Sequence, residues 1–151
     1  MLLLILSCSK SGVDNKSKND YSNFTFYEGL STNYIQHGGS SREYLLYIPS
    51  NIGNRKNLPV IFNFHGYFGQ AVQFFNQTDL VEIADNNGVI LVYPQGSCSD
   101  GLSHWNPCPR GGDNKSTADD LGFIQAMIND ISTQYNIDQE RIYATGYSRY
   151  I

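Results

Sequence analysis

The residue of this sequence best placed to do chemistry is a serine two positions after a glycine, at the end of a short run of aliphatic and aromatic residues. Arg141-Ile142-Tyr143-Ala144-Thr145 leads into Gly146-Tyr147-Ser148, which reads as a strand ending in a sharp turn with a hydroxyl at its tip. Such a hydroxyl attacks an acyl carbon once a neighbouring base takes its proton. A second turn, His65-Gly66-Tyr67-Phe68-Gly69, follows the apolar run Leu58-Pro59-Val60-Ile61-Phe62-Asn63-Phe64. Its glycines let the backbone bend tightly and aim amides outward, as the stabilisation of an oxyanion requires. Together the two turns suggest acyl transfer.

The base is harder to find. The chain has 3 histidines. His37 falls on an early hairpin strand, away from both turns. His65 belongs to the glycine turn, where positioning the backbone is its expected work. His104 stands beside Trp105, the single tryptophan, and is expected on the rim of the site. Asp113, Asp119 and Asp120 fall near the same edge, although a helix N-terminus accounts for the last two. Trp105 reads equally as a ring that stacks on substrate and as an anchor for its loop. Without a base, the Ser148 hydroxyl stays protonated and attacks poorly near neutral pH.

Three cysteines are present. Cys8 follows Leu2-Leu3-Leu4-Ile5-Leu6-Ser7, which resembles the end of a lipoprotein signal whose cysteine carries lipid. That run is too short to span a bilayer. In an oxidising compartment Cys98 and Cys108 can pair and fix the shape of the loop between them. No Cys-x-x-Cys spacing exists, so no metal is expected, and no other cofactor either. A net charge of −4, with basic residues gathered only in the weakly positive Lys10–Lys18 segment, argues against nucleic acid as a partner.

The elements that must position these residues are legible in outline. Residues 1–8 read as a signal remnant and residues 9–22, rich in Ser, Lys, Asn, Asp and Gly, as a flexible tether. Residues 23–151 read as the folded part; 40% hydrophobic and 16% charged residues fit a globular domain. Tyr34–His37 and Arg42–Pro49 form a hairpin about Gly38-Gly39. Leu58–Phe64 and Val89–Pro94 are nearly continuous apolar runs, as strands buried on both faces are. Thr78–Asn87 reads as a helix with Leu80, Ile83 and Ala84 inward and Gly88 as its stop. Gln95–Lys115 reads as a long loop. A helix follows, capped by Ser116 or Thr117, with Leu121, Ile124, Ile128, Ile131 and Tyr135 inward. Residues 136–140 then turn the chain into the last strand. Alternation of strand and helix gives an α/β fold, a mostly parallel sheet with helices on both faces and an antiparallel hairpin at its start. Ligands of such sheets bind beyond the C-terminal ends of the strands.

Five segments in order resemble the polyhydroxybutyrate depolymerase/feruloyl esterase family of α/β-hydrolases. They are Glu43–Pro49, Leu58–Gly66, Asn87–Pro94, Asp119–Ile124 and Arg141–Ser148. The resemblance implies a truncated α/β-hydrolase fold and a secreted serine carboxylesterase that forms an acyl-enzyme on polyester, feruloylated or acetylated sugar substrates. By position, Ser148 is the nucleophile, and the amides of Tyr67 and Arg149 are the oxyanion donors. Two departures stand out. The family motif continues Gly-x-Ser-x-Gly, but Tyr150 occupies the last position. The acid and histidine follow the serine in chain order in these enzymes, whereas the sequence ends at Ile151. The expectation is a largely inactive N-terminal portion, exported and held at the cell envelope through Cys8. The alternative is a lipid-anchored protein that holds glycan or polymer through Trp105 without catalysis.

Overall fold

The computed structural model describes residues 27–108 and 114–148. The signal remnant, the tether, Cys8, Asp113 and Arg149 lie outside them. Strands β1 (Leu30–His37) and β2 (Ser40–Tyr47) form the expected hairpin, turned by Gly38 and Gly39 at φ of 60° and 81°. Both values lie where only glycine is unstrained. Then follow β3 (Leu58–Phe64), α1 (Ala71–Gln77), α2 (Val81–Asn87) and β4 (Ile90–Pro94). A small hairpin of β5 (Ser97–Ser99) and β6 (Leu102–His104) precedes α3 (Asp120–Gln134) and β7 (Ile137–Gly146).

Among the described residues the main sheet has five strands in the order β1-β2-β4-β3-β7. The hairpin and β4 pair antiparallel, while β3 runs parallel to both β4 and β7. Alternate residues of each inner strand serve opposite faces. Tyr44, Leu46, Val60, Phe62, Ile90 and Val92 pack with Phe123, Met127 and Ile131 of α3. On the other face Leu45, Tyr47, Leu91 and Tyr93 pack with Ala71, Phe74 and Phe75 of α1 and Ala84 of α2. The apolar runs are therefore buried on both faces, as their composition requires. Among the described residues no helix is long and apolar enough to cross a membrane.

Several boundaries differ from expectation. The helix expected over Thr78–Asn87 begins at Val81, and Ile83 on it is 52% exposed, leaving Ala84 as its fully buried residue. Gly88 does stop it, at φ 68°. Helix α1 was not anticipated. The cap of α3 is Asp119, whose carboxylate accepts from the Gly122 amide at 2.9 Å; Ser116 is instead engaged by His104 and Asn106. The fully buried stripe is Phe123, Met127 and Ile131; of the residues expected inward, Ile131 lies on it, Ile124, Ile128 and Tyr135 pack partly buried against the same core, and Leu121 is 47% exposed. Strand β7 starts at Ile137, which pairs with Leu58, and residues 138–141 fall in the register shift before Ile142 pairs with Val60.

Phe123 is fully buried and lies under the Arg42 guanidinium, 4.1 Å from the ring centre. Phe123→Ala is expected to cost about 3–5 kcal/mol of stability, read from the urea midpoint. A loss under about 1 kcal/mol would show that this face is not a packed core.

Candidate active site

Order in the sheet puts a crevice where the two turns are. From β3 the chain passes through α1 and α2 to β4 on one side, and from β4 through α3 to β7 on the other. Strands β3 and β7 are parallel neighbours, so the turns that follow them lie side by side at the C-terminal edge of the sheet, where ligands of α/β sheets bind. The glycine turn follows β3, and Ser148 follows β7.

The two turns touch. Register pairs Phe64 with Gly146, and the Tyr147 amide donates to the Phe64 carbonyl at 3.3 Å. A methyl group on Gly66 would lie 2.7 Å from the Tyr147 carbonyl oxygen and 3.2 Å from Ser148 Cα. One on Gly146 would lie 2.9 Å from the Phe64 carbonyl oxygen. Only glycine permits this spacing. Within the turn the Phe68 amide donates to Ser103 O at 3.0 Å and the Gly69 amide to Gly66 O at 2.9 Å. Among the described residues the Tyr67 amide donates to no backbone carbonyl.

His65 sustains this turn from beneath. It is 3% exposed. The Gly96 amide donates to its Nε2 at 3.0 Å, and Gln95 Nε2 lies 3.2 Å from the same nitrogen. The ring proton therefore belongs on Nδ1, which donates to the Gly66 carbonyl at 2.8 Å. Burial pushes the His65 pKa down, and the Gly66 carbonyl offsets part of that shift. With both nitrogens committed, this imidazole is a brace and not a base.

Trp105 is an anchor. Its indole N–H donates to the His65 carbonyl at 2.9 Å, and its ring meets Phe64 edge-on at 5.1 Å. His104, expected on the rim, is 2% exposed, with Nε2 2.8 Å from Ser116 Oγ. The hairpin β5–β6 turns its ring inward, so the rim assignment is corrected. The expected Cys98–Cys108 bridge is also corrected, because Cys108 is a free thiol. Cys98 is exposed on β5, opposite Ser103. The Cys108 backbone is fastened on both sides by the Asn114 amide group. His37 is remote; its Nε2 lies 3.0 Å from Asp119 Oδ2.

Asp120 opens α3, as its place in the sequence predicts, but it is 3% exposed and its carboxylate has a second task. Arg42 Nη2 at 2.6 Å, Ser97 Oγ at 2.9 Å and the Asn106 amide at 2.7 Å all donate to it. Asp120 thereby fixes the loop beside Trp105. The available signal was Arg42, a charge just before the apolar run Tyr44–Tyr47 of β2, since a buried cation requires a buried anion.

A family model described as esterase PHB depolymerase matches residues 42–150. The chain belongs to this esterase family. As a family member it resembles a bifunctional acetylxylan esterase/xylanase of Neocallimastix patriciarum, 30% identical over 115 residues, covering 76% of the chain and 15% of that protein. It also resembles feruloyl esterase B of Thermothelomyces thermophilus, 32% identical over 108 residues, covering 68% of the chain and 34% of that protein. The acetyl xylan esterase from Aspergillus awamori superposes with a TM-score of 0.59 at 16% identity, covering 77% of the chain and 42% of that structure. A ferulic acid esterase superposes at 0.60, with 16% identity and coverage of 78% and 48%. Those superpositions establish the α/β-hydrolase fold. The chain spans between 15% and 34% of the length of these curated relatives.

A histidine held neutral binds fewer protons folded than unfolded. Its contribution to stability is therefore full above the unfolded value near ~6.5 and is lost as pH falls from there toward the lowered folded pKa. The His65 ring is expected to titrate in NMR with a midpoint below ~6.5 and with Nδ1 protonated. A midpoint above that value would contradict the brace.

Proposed function

We propose that the chain is the nucleophile-bearing part of an exported serine carboxylesterase, with Ser148 forming the acyl-enzyme and the Tyr67 amide as one oxyanion donor. The observation that carries this reading is the contact between Gly66 and the Tyr147-Ser148 backbone. It puts the glycine turn and the serine in one crevice, with the Tyr67 amide uncommitted to backbone among the described residues. Arg149, by its place after the serine, is the second donor. The ester is polysaccharide-linked or polymeric, which the acetylxylan and feruloyl esterases among the relatives support. Export and a lipid on Cys8 follow from the apolar stretch and polar tether at the start of the sequence.

In the reaction the Ser148 oxygen attacks the carbonyl carbon as its proton leaves to a base. The carbonyl oxygen gains charge and is met by the backbone amides, the alcohol departs with a proton, and water later releases the acid. His65 and His104 have both ring nitrogens engaged elsewhere, and His37 pairs with Asp119. The proton acceptor is therefore none of the three, and turnover by this chain alone is expected to be slow. Trp105, on which a purely polymer-holding role would rest, directs its indole N–H into the fold, and that weakens the non-catalytic alternative.

Without a histidine to activate water, the acyl group, once on the serine, is hydrolysed slowly too. Incubation with p-nitrophenyl acetate is expected to leave one acetyl group on the peptide containing Ser148, detected by mass spectrometry and absent in Ser148→Ala. Acetyl groups found only on lysines or tyrosines would contradict the reading.

A further inference from the structure

A cavity of about 170 Å³ opens beside the glycine turn, between Gly66, Tyr67, helix α1 and Tyr147. Its α1 wall is a row of amides. Gln70, Gln73 and Gln77 recur at helical spacing and all line it. Gln73 and Gln77 are exposed, and among the described residues neither side chain hydrogen-bonds another group. Gln95 differs: its amide is held between the Ala71 N–H and His65. Tyr147, 61% exposed, also lines the cavity.

We propose that Gln73 and Gln77, with the Tyr147 ring, form a subsite for a single sugar ring of a carbohydrate ester bound at Ser148. Each primary amide offers two N–H donors and a carbonyl acceptor, which matches hydroxyl groups that both donate and accept. The tyrosine ring supplies an apolar face for the C–H side of a sugar. Among the described lining residues no side chain is a lysine, arginine or carboxylate, although Lys115 Nζ lies 4.9 Å from the centre of the Tyr67 ring, and the amide wall suits neutral hydroxyl groups. A polyester offers carbonyl acceptors to the amide N–H groups but no hydroxyl donors to the amide carbonyls, which would lose water without replacement, and that costs binding energy. The volume falls below the roughly 300–1,000 Å³ of sites that enclose a whole drug-sized ligand, so one ring enters and the rest of the chain stays outside.

The inference rests on the serine-esterase reading and names the sugar side of that site. The test is calorimetric titration of the full chain with O-acetylated xylotriose and, separately, with a 3-hydroxybutyrate trimer. Q73L/Q77L keeps side-chain volume and removes the amides; Q73A/Q77A does so without adding apolar surface, and either serves if the other fails to fold. Loss of two hydrogen bonds predicts roughly tenfold weaker binding of the xylotriose ester, with trimer binding unchanged. The inference is overturned if the wild-type chain does not bind the xylotriose ester, if the variants bind it equally well, or if the trimer loses as much. Because binding is read without turnover, a missing acetyl group on Ser148 sinks the esterase reading alone, and unaltered binding in the glutamine variants sinks the subsite alone.

Discussion

The absence of two side chains governs the arrangement of this protein's crevice. Strands β3 and β7 run parallel and in register to their last residues, Phe64 beside Gly146. Each then turns at the same edge of the sheet, and the turns can occupy adjoining space only because Gly66 and Gly146 have no Cβ. A serine at the tip of one strand and, at the bend of the next, an amide with no backbone acceptor among the described residues come side by side through that contact. Neither turn has this geometry by itself.

What keeps the bend in shape is polar and buried. His65 ties the Gly66 carbonyl to the Gly96 amide, and Trp105 holds the His65 carbonyl from above. Trp105 is held in turn through its neighbour Asn106, whose amide reaches Asp120. Asp120 pairs with Arg42 across the start of α3. A pair with side chains 9% and 3% exposed adds little net stability, but losing one partner strands the other and costs about 3–5 kcal/mol. The network thus couples the helix on one face of the sheet to the turn that presents the Tyr67 amide. Preorganisation of this kind matters in acyl transfer, where a donor misplaced by an ångström gives little stabilisation to a developing charge.

Much of the framework was legible because it depends on periodicity and on glycine. Leu58–Phe64 appears as the strand its composition demands, the Gly38-Gly39 turn adopts the conformations glycine supplies, and Gly88 stops its helix. The meeting of Gly66 with Ser148 followed from the order of the elements. Features built from long-range contacts were not legible. Helix α1 has no side-chain cap and only seven residues, so nothing local announces it. Strands β5 and β6 have three residues each and depend on the loop around them. His104 beside a tryptophan reads as a rim pair, and only that small hairpin turns it inward. Cys98 and Cys108 are close enough in sequence to pair, yet Cys108 keeps a free thiol. Asp119 and Asp120 look equivalent, but one caps the helix at the surface and the other is the buried hub.

The central claim is that Gly66 lets the Tyr67 amide and the Ser148 hydroxyl serve one carbonyl group, and its most direct test is the rate at which p-nitrophenyl acetate acetylates Ser148 in Gly66→Ala. The added methyl group must displace the Tyr147 carbonyl, moving the donor away from the serine. Loss of one oxyanion donor predicts a fall of roughly 10²–10³-fold in a variant that still melts cooperatively. An unchanged acetylation rate in that folded variant would contradict the account.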